Sequence, residues 1–267
     1  MKRTPLIAGA AALILALGAC SNDEAGDDAT ATAGSASAST STELTTVEAP
    51  APMDMSAYAD LPAIPSGPAT VDCTYPAATP PARPVEAPET TDVSAEGTVT
   101  VDVTTTSGPI GLELNRQAAP CTVNSFVSLA EQGYFNDTEC HRLVYMTGMQ
   151  IVQCGDPTAT GTGGPGYGFD TEYPQTAVDP AQWSEPAVYP RGTIAMANSG
   201  RPGTNGSQFF LVFADTVLPP QYTVFGTMDD AGIETLESIA VYGDDGSMGA
   251  GGGTPAKSIS LETVTVK

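Results

Sequence analysis

From Val99 the chain alternates: Val99, Val101 and Val103 take one face of a strand, a turn at Ser107-Gly108 follows, and Ile110, Leu112 and Leu114 take one face of the return strand. A period of two is incompatible with helix and fixes a β-hairpin with one buried side. Shorter segments of strand character follow at 142–145, 151–153, 193–197, 208–213 and 223–226, and an alternating strand runs over 259–266. Helical spacing occurs twice. Pro120 and Thr122 open a run in which Val123, Phe126, Val127 and Ala130 stand at i, i+3, i+4 and i+7 before Gly133 stops it, and Ile233, Leu236 and Ile239 mark a second helix over 230–240. About eight strands and two helices in some 170 residues predict a mainly β domain, a closed or nearly closed β-barrel with a helix capping each end.

What precedes this domain reads differently. Residues 1–19 carry Lys2 and Arg3, then the apolar run 6–17, and end in Leu17-Gly18-Ala19 directly before Cys20. That is the layout of a secretory signal, and its apolar run is shorter than the roughly 20 residues a membrane-spanning helix needs. From 20 to 95 the chain is rich in Ala, Ser, Thr, Pro and acid and lacks the periodicity of a packed element, so a flexible, disordered linker is expected there. The alternative within it is an arm over 53–68, where Met53, Met55, Tyr58, Leu61 and Ile64 supply apolar side chains for docking. The folded domain is expected over 96–267.

Charge excludes one class of partner. Against 31 acidic residues stand nine basic ones, a formal net charge of -22, which repels nucleic-acid phosphates and anionic lipid. The single histidine, His141, excludes multi-histidine metal sites and is expected to pack beside its strand neighbour rather than to ligate. Four cysteines lie beyond Cys20: Cys73, Cys121, Cys140 and Cys154. Without C-x-x-C spacing they do not suggest metal, and in an exported protein an even number suggests disulfides. Residues 141–153 read as two short strands about a Thr147-Gly148 turn, with Cys140 and Cys154 symmetric about residue 147. Cys140–Cys154 would then bridge the hairpin and Cys73–Cys121 would tie the linker to the domain. Sequence alone leaves three pairings, and free thiols, open.

Seven stretches in collinear order resemble the cyclophilin-type peptidyl-prolyl cis-trans isomerases: Ala-Pro-Cys-Thr-Val-Asn-Ser-Phe at 119–126, Cys-His-Arg-Leu at 140–143, Gln-Cys-Gly-Asp at 153–156, Gly-Thr-Gly-Gly at 161–164, Met-Ala-Asn-Ser-Gly at 196–200, Thr-Asn-Gly-Ser-Gln-Phe-Phe at 204–210 and Thr-Val-Phe-Gly at 223–226. Leu-Gly-Ala-Cys at 17–20 resembles the lipobox of bacterial lipoproteins. The first resemblance implies an eight-stranded antiparallel β-barrel capped by two helices, no cofactor and no metal, and catalysis of X-Pro rotation in polypeptide substrates. It places Arg142 as the donor to the prolyl nitrogen, Ile151, Phe210, Leu218 and Tyr222 around the proline ring, Gln153 and Gln208 as orienting residues, Ala197 and Asn198 as a strand edge for substrate backbone, and Gly161 in the adjoining groove. The second implies lipidation at Cys20 and attachment to the outer face of the bacterial cytoplasmic membrane. A tethered monomer is the default.

Some positions depart from the family pattern. Gln150 stands where a pocket Phe is usual, Val217 where a Trp is usual and Tyr222 where a His is usual, and the interval from Arg142 to Gln153 is three residues longer. Met149 is a candidate to fill the volume that Phe leaves, because a flexible thioether packs irregular gaps. Loss of the indole implies weakened binding of cyclosporin. Two other readings stay open on these substitutions: a barrel that grips proline-containing segments without turnover, and a holdase-like chaperone.

Overall fold

The computed structural model describes residues 43–267; the signal segment 1–19, Cys20 and linker residues 21–42 lie outside the described residues. In chain order the strands are β1 (Ala59–Asp60), β2 (Thr70–Val71), β3 (Val93–Ser94), β4 (Thr98–Thr105), β5 (Gly108–Asn115), β6 (Thr138–Glu139), β7 (Arg142–Met146), β8 (Met149–Cys154), β9 (Ala187–Tyr189), β10 (Thr193–Met196), β11 (Phe209–Ala214), β12 (Thr216–Leu218), β13 (Val224–Met228) and β14 (Ser260–Val266). The helices are α1 (Pro120–Glu131) and α2 (Asp230–Ala240).

Nine strands bond in the order β6-β14-β4-β5-β13-β10-β11-β8-β7, antiparallel throughout. The strand beyond the expected eight is β6, a two-residue pairing on β14. β6 and β7 are consecutive in the chain yet form opposite edges of the sheet, and the edges meet. Cys140 N–H donates to the Ile259 carbonyl at 2.9 Å, and Leu143 and Gly253 exchange both backbone bonds at 2.8 and 3.0 Å. The sheet therefore curls into a barrel with its seam at residues 140–143.

Strict alternation in β4 and β5 sends Val99, Val101, Val103, Ile110, Leu112 and Leu114 inward, as their period of two requires. The turn lies at Thr106-Ser107, one residue before the predicted position, because Thr105 pairs with Gly108 and its Oγ1 accepts from the amides of Ser107 and Gly108, both at 3.1 Å. Gly108 has φ +146°, and a Cβ there would strike the Thr235 hydroxyl of α2. At the centre of the barrel Phe126 of α1 packs against Phe135, Phe209 and Phe225 with ring centroids 4.8, 5.4 and 5.5 Å away.

Each helix has its amino-terminal amides satisfied by a carboxylate. In α2 the N-cap Asp229 accepts from Gly232 N–H at 2.7 Å. In α1 the N-cap position is Ala119, which has no side-chain acceptor, and the half-buried Glu172 takes over from 50 residues away: it accepts from the amides of Cys121 and Thr122 at 3.0 and 2.8 Å and from the Thr122 hydroxyl at 2.6 Å. Burial raises the Glu172 pKa against these bonds, which lower it.

The expected flexible linker is corrected over 43–95, which lies along the barrel as a bound arm, and the folded unit starts well before residue 96. The docking alternative for 53–68 describes part of it. β1 adds in parallel to β9, whose other side pairs with β12. Upstream, the Thr147 hydroxyl donates to the Ala51 carbonyl at 3.1 Å, and further on Tyr173 Oη donates to the Pro62 carbonyl at 2.6 Å. Residues 73–89 then follow α1. Asn124 Nδ2 donates to the Glu89 carbonyl at 2.8 Å, Gln132 exchanges two bonds with the Glu86 backbone, and Arg83 Nη1 lies 2.7 Å from the Asn136 carbonyl just past the helix end. Composition failed here because these anchors are mostly backbone carbonyls, which leave no trace in a hydropathy pattern.

Both expected disulfides are formed, Cys73–Cys121 and Cys140–Cys154. The first closes a separation of 48 residues between arm and helix. Loop-closure entropy for a ring of that size amounts to about 4 kcal/mol. Replacing both partners, Cys73→Ser with Cys121→Ser, is expected to lower unfolding stability by about 3–4 kcal/mol in urea titration; a loss below about 1 kcal/mol would show that the remaining contacts hold the arm unaided.

Candidate functional site

The register of β7, β8 and β11 sorts their side chains into rows. Arg142 pairs with Gln153 and Gln153 with Phe210; Leu143, Val152 and Leu211 form the next row; Val144, Ile151 and Val212 the one after. The middle row belongs to the barrel core, whereas Val144, Ile151, Phe210 and Val212 join a second cluster with Tyr189 and Ala195 on the opposite face of the sheet. The candidate site is built on that outer face. The three-residue lengthening of the interval appears as a hairpin with Met146 opposite Met149 about Thr147-Gly148, as the spacing predicts.

Arg142 stands at the start of β7 and is half-buried. Its Nε donates to the Gly251 carbonyl at 2.7 Å and its Nη1 to Gln153 Oε1 at 3.0 Å; Gln153 Nε2 donates to Gln208 Oε1 at 2.9 Å, and Gln208 Nε2 to the Gly163 carbonyl at 2.9 Å. This relay fixes the plane of the guanidinium and leaves donors on Nη1 and Nη2 unspent, since the group has five. Burial lowers the Arg142 pKa, but guanidinium stays protonated. The ion pairs among the described residues are Arg191–Glu237 and Lys267–Asp102, so Arg142 has no carboxylate to neutralise it.

Beside the relay lies the apolar cluster. Ile151 and Phe210 form its floor, at 1% and 3% exposure, and Met149, Leu218, Tyr222 and Ala197 its half-buried rim. Phe210 meets Tyr222 edge to face at 5.7 Å. Met149 packs on the cluster, the place expected for it. The Tyr189 hydroxyl lies 3.1 Å from both the Pro219 and Tyr222 carbonyls and so pins the loop that carries the rim. At position 217 the backbone N–H donates to the Gly148 carbonyl at 2.9 Å, tying β12 to the hairpin turn.

At the strand edge Ala197 N–H donates to the Gln208 carbonyl at 2.9 Å. Asn198 spends its side chain locally, Nδ2 donating to Gln221 O at 2.8 Å and Oδ1 accepting from Gly200 N–H at 2.9 Å. Gly161 is not among the residues of the apolar cluster: a Cβ there would rest 3.5 Å from the His141 ring. Gly163 makes the contact to Gln208 instead. It is placed by Asp156, whose carboxylate accepts from Thr158 N–H at 2.8 Å and Gly163 N–H at 2.9 Å and folds the loop on itself. His141 packs beneath that loop, as expected for a buried strand neighbour, with neither ring nitrogen hydrogen-bonded.

Three contributors carry little sequence signal. Gly251 lies in a glycine-rich run, 246–253, without periodicity; Gly252 there has φ +81°, and a Cβ would overlap the Leu143 carbonyl, so only glycine lets the run lie against β7. Tyr189 sits on a three-residue strand, and Leu61 of the arm packs on the same cluster from a segment of linker composition.

A curled antiparallel sheet with two helices, bearing a fixed arginine beside an apolar cluster on its outer face, belongs to a known class. The family described as "Cyclophilin type peptidyl-prolyl cis-trans isomerase/CLD" matches residues 100–266, and the chain belongs to this family. Among similar proteins, the probable peptidyl-prolyl cis-trans isomerase B of Mycobacterium leprae is 49% identical over 200 residues, 73% of this chain and 66% of that protein; its Mycobacterium tuberculosis counterpart is 48% identical over 207 residues, 76% and 66%. The chain thus spans just under two thirds of these relatives. A solved cyclophilin type peptidyl-prolyl cis-trans isomerase of Cryptosporidium parvum superposes with TM-score 0.51 at 31% identity, covering 64% of this chain and 98% of that one, and the same protein in the presence of the dipeptide Ala-Pro gives 0.50.

Burial lowers the pKa of His141, with Asp156 acting against it, so the folded state resists a proton that the unfolded chain accepts near the ordinary value of 6.5. Stability is therefore lost as pH falls through that value, by at most about 1.4 kcal/mol per pH unit for one proton. His141→Phe removes this titration, and the opposite-signed response of Glu172 cancels in the difference. Urea unfolding between about pH 7.5 and 5.5 should show the native protein losing stability relative to the variant as pH falls; parallel curves would mean that His141 titrates normally.

Proposed function

We propose that the domain catalyses cis-trans rotation about X-Pro bonds, with Arg142 as the donor that engages the prolyl nitrogen. The barrier of ~18–20 kcal/mol for peptide rotation arises from delocalisation of the nitrogen lone pair into the carbonyl. A donor directed at that nitrogen stabilises the twisted, pyramidal state, in which the lone pair is free, more than either planar state. The observation that carries this reading is the relay Arg142–Gln153–Gln208–Gly163 beside the Phe210 cluster: a cation held in a fixed plane, without a counter-charge, in the same cross-strand row as Phe210. The Ala-Pro dipeptide named with the Cryptosporidium parvum structure agrees with a proline-sized ligand. Phe210 and Ile151 are covered, so a proline ring enters as the rim opens; Met149, with its three rotatable bonds, is suited to yield. Substrate backbone adds along Ala197 and Asn198, since the Asn198 N–H and C=O have no protein partner among the described residues.

The same reading extends to place. Residues 1–19 and Cys20 direct export and lipid attachment at the outer face of a bacterial cytoplasmic membrane, and the clients are exported polypeptides. Two disulfides, which use every cysteine of the described residues, suit an oxidising compartment. Cys20→Ser is expected to move the protein from the membrane fraction to the soluble fraction; retention in the membrane would refute the anchor.

Exchange NMR on a short X-Pro peptide tests the chemistry. Catalysis by the native protein should fall roughly a hundredfold or more in Arg142→Ala, the range seen when one aimed donor is removed. Peptide-induced shifts at Phe210 and Asn198 without catalysis would instead identify a proline-segment binding module.

A further inference from the structure

At Asn198 the surface opens into a groove of about 380 Å³ lined by Asp170, Gln175, Trp183, Asn198, Arg201 and Gln221 among others. One wall is residues 174–186, which lie outside every stretch that carries the family resemblance. This segment forms two short turns, Gln175–Ala177 and Pro180–Gln182, the second capped by Asp179, which accepts from Ala181 N–H at 2.8 Å. Its far end returns to the site. Trp183 Nε1 donates to the Gln175 carbonyl at 3.3 Å, Gln221 Nε2 donates to the Trp183 carbonyl at 2.9 Å, and the Gln221 carbonyl accepts from Asn198. The groove is thereby continuous with the strand edge proposed to hold substrate and shares the loop that forms the pocket rim.

Trp183 is the one tryptophan of the chain and remains 39% exposed, among the few large apolar side chains left to solvent in the described residues. Its indole N–H is occupied while part of its surface is open. The groove also carries one carboxylate, Asp170, and one guanidinium, Arg201, and neither belongs to an ion pair among the described residues. A charged occupant is attracted by one of them and repelled by the other. An uncharged aromatic ring avoids that conflict, stacks on Trp183 and offers its face to Arg201. The acidity of the chain as a whole acts on approach and is screened beyond about 8–10 Å, so it does not reverse the local balance.

We propose that this groove is a specificity subsite for an aromatic side chain of the polypeptide substrate, carried within a few residues of the X-Pro bond. The proposal rests on the isomerase reading of the neighbouring site, and two readouts keep the two apart. The full chain is assayed by exchange NMR against peptides with one X-Pro bond and phenylalanine, alanine, lysine or glutamate at successive positions on either side of it. In parallel, peptide binding is followed by the emission of Trp183, which needs no label. At one position phenylalanine is expected to raise kcat/KM about fivefold over alanine, mainly through KM, and to perturb Trp183 emission. Trp183→Ala should erase that preference and Trp183→Phe should retain most of it. Equal kcat/KM for phenylalanine and alanine everywhere with silent emission, a preference for lysine or glutamate, or a preference that survives Trp183→Ala would each overturn the subsite. If no peptide is turned over, the isomerase reading fails by itself, and emission that responds to phenylalanine but not to alanine peptides still establishes the subsite.

Discussion

The candidate site depends on the register between β7, β8 and β11. With a side-chain period of two, a slip of one residue would move the row Arg142–Gln153–Phe210 to the barrel interior and expel Leu143, Val152 and Leu211. A guanidinium buried there without a partner would cost several kcal/mol, so the core itself enforces the register. The Cys140–Cys154 bridge brackets the base of the hairpin that carries Arg142 and Gln153. Closure of the barrel adds the last contact: the bonds between Leu143 and Gly253 that seal the seam bring the Gly251 carbonyl to Arg142 Nε. Folding the barrel and orienting the arginine are thus one event.

The arm extends the same logic to the pocket rim. β12 carries Val217 and Leu218, and it is held by β9 on one side and by the Gly148 carbonyl on the other. The arm braces both supports, through β1 on β9 and through Ala51 on Thr147. A three-residue strand is weak on its own. Here it forms the edge of a small sheet whose far edge is tied, through Cys73–Cys121, to the helix that plugs the barrel.

Residues whose signal is periodic were legible in the sequence. Alternation at 98–115 and 259–266, helical spacing in α1 and α2, and two cysteines equidistant from a Thr-Gly turn each translate one-dimensional spacing into geometry. The relay was legible only through family resemblance, because nothing local marks Gln153 or Gln208 as anything but strand residues. The arm was legible only in part, at its apolar stretch 53–68 and at Cys73, and Glu172 and Gly251 were not legible, for a shared reason: each acts through a partner distant in sequence and offers a carbonyl or a lone carboxylate. For Glu172 a clue did exist. Ala119 cannot cap α1, so the amides of Cys121 and Thr122 require an acceptor from elsewhere, although sequence could not say which.

The departures from the family pattern separate binding from catalysis. Val217 stands in place of an indole that could donate to a substrate carbonyl, and its own contribution is a backbone strut to Gly148. A hydrogen bond to a carbonyl remote from the rotating amide has similar strength in the planar and twisted states, so its loss weakens affinity and leaves the barrier largely unchanged. Tyr222 likewise belongs to the rim of the proposed pocket, whereas Gln150 pairs with Tyr145 on the other face of the sheet, and Met149 takes the place on the cluster. On the proposed mechanism the donor to the prolyl nitrogen differs in kind: its full value is realised only when the lone pair leaves the amide, and every residue that orients it, Gln153, Gln208 and the glycine carbonyls at 163 and 251, is in place. On that mechanism, substitutions confined to the walls retune which polypeptides would bind and preserve the means of lowering the barrier.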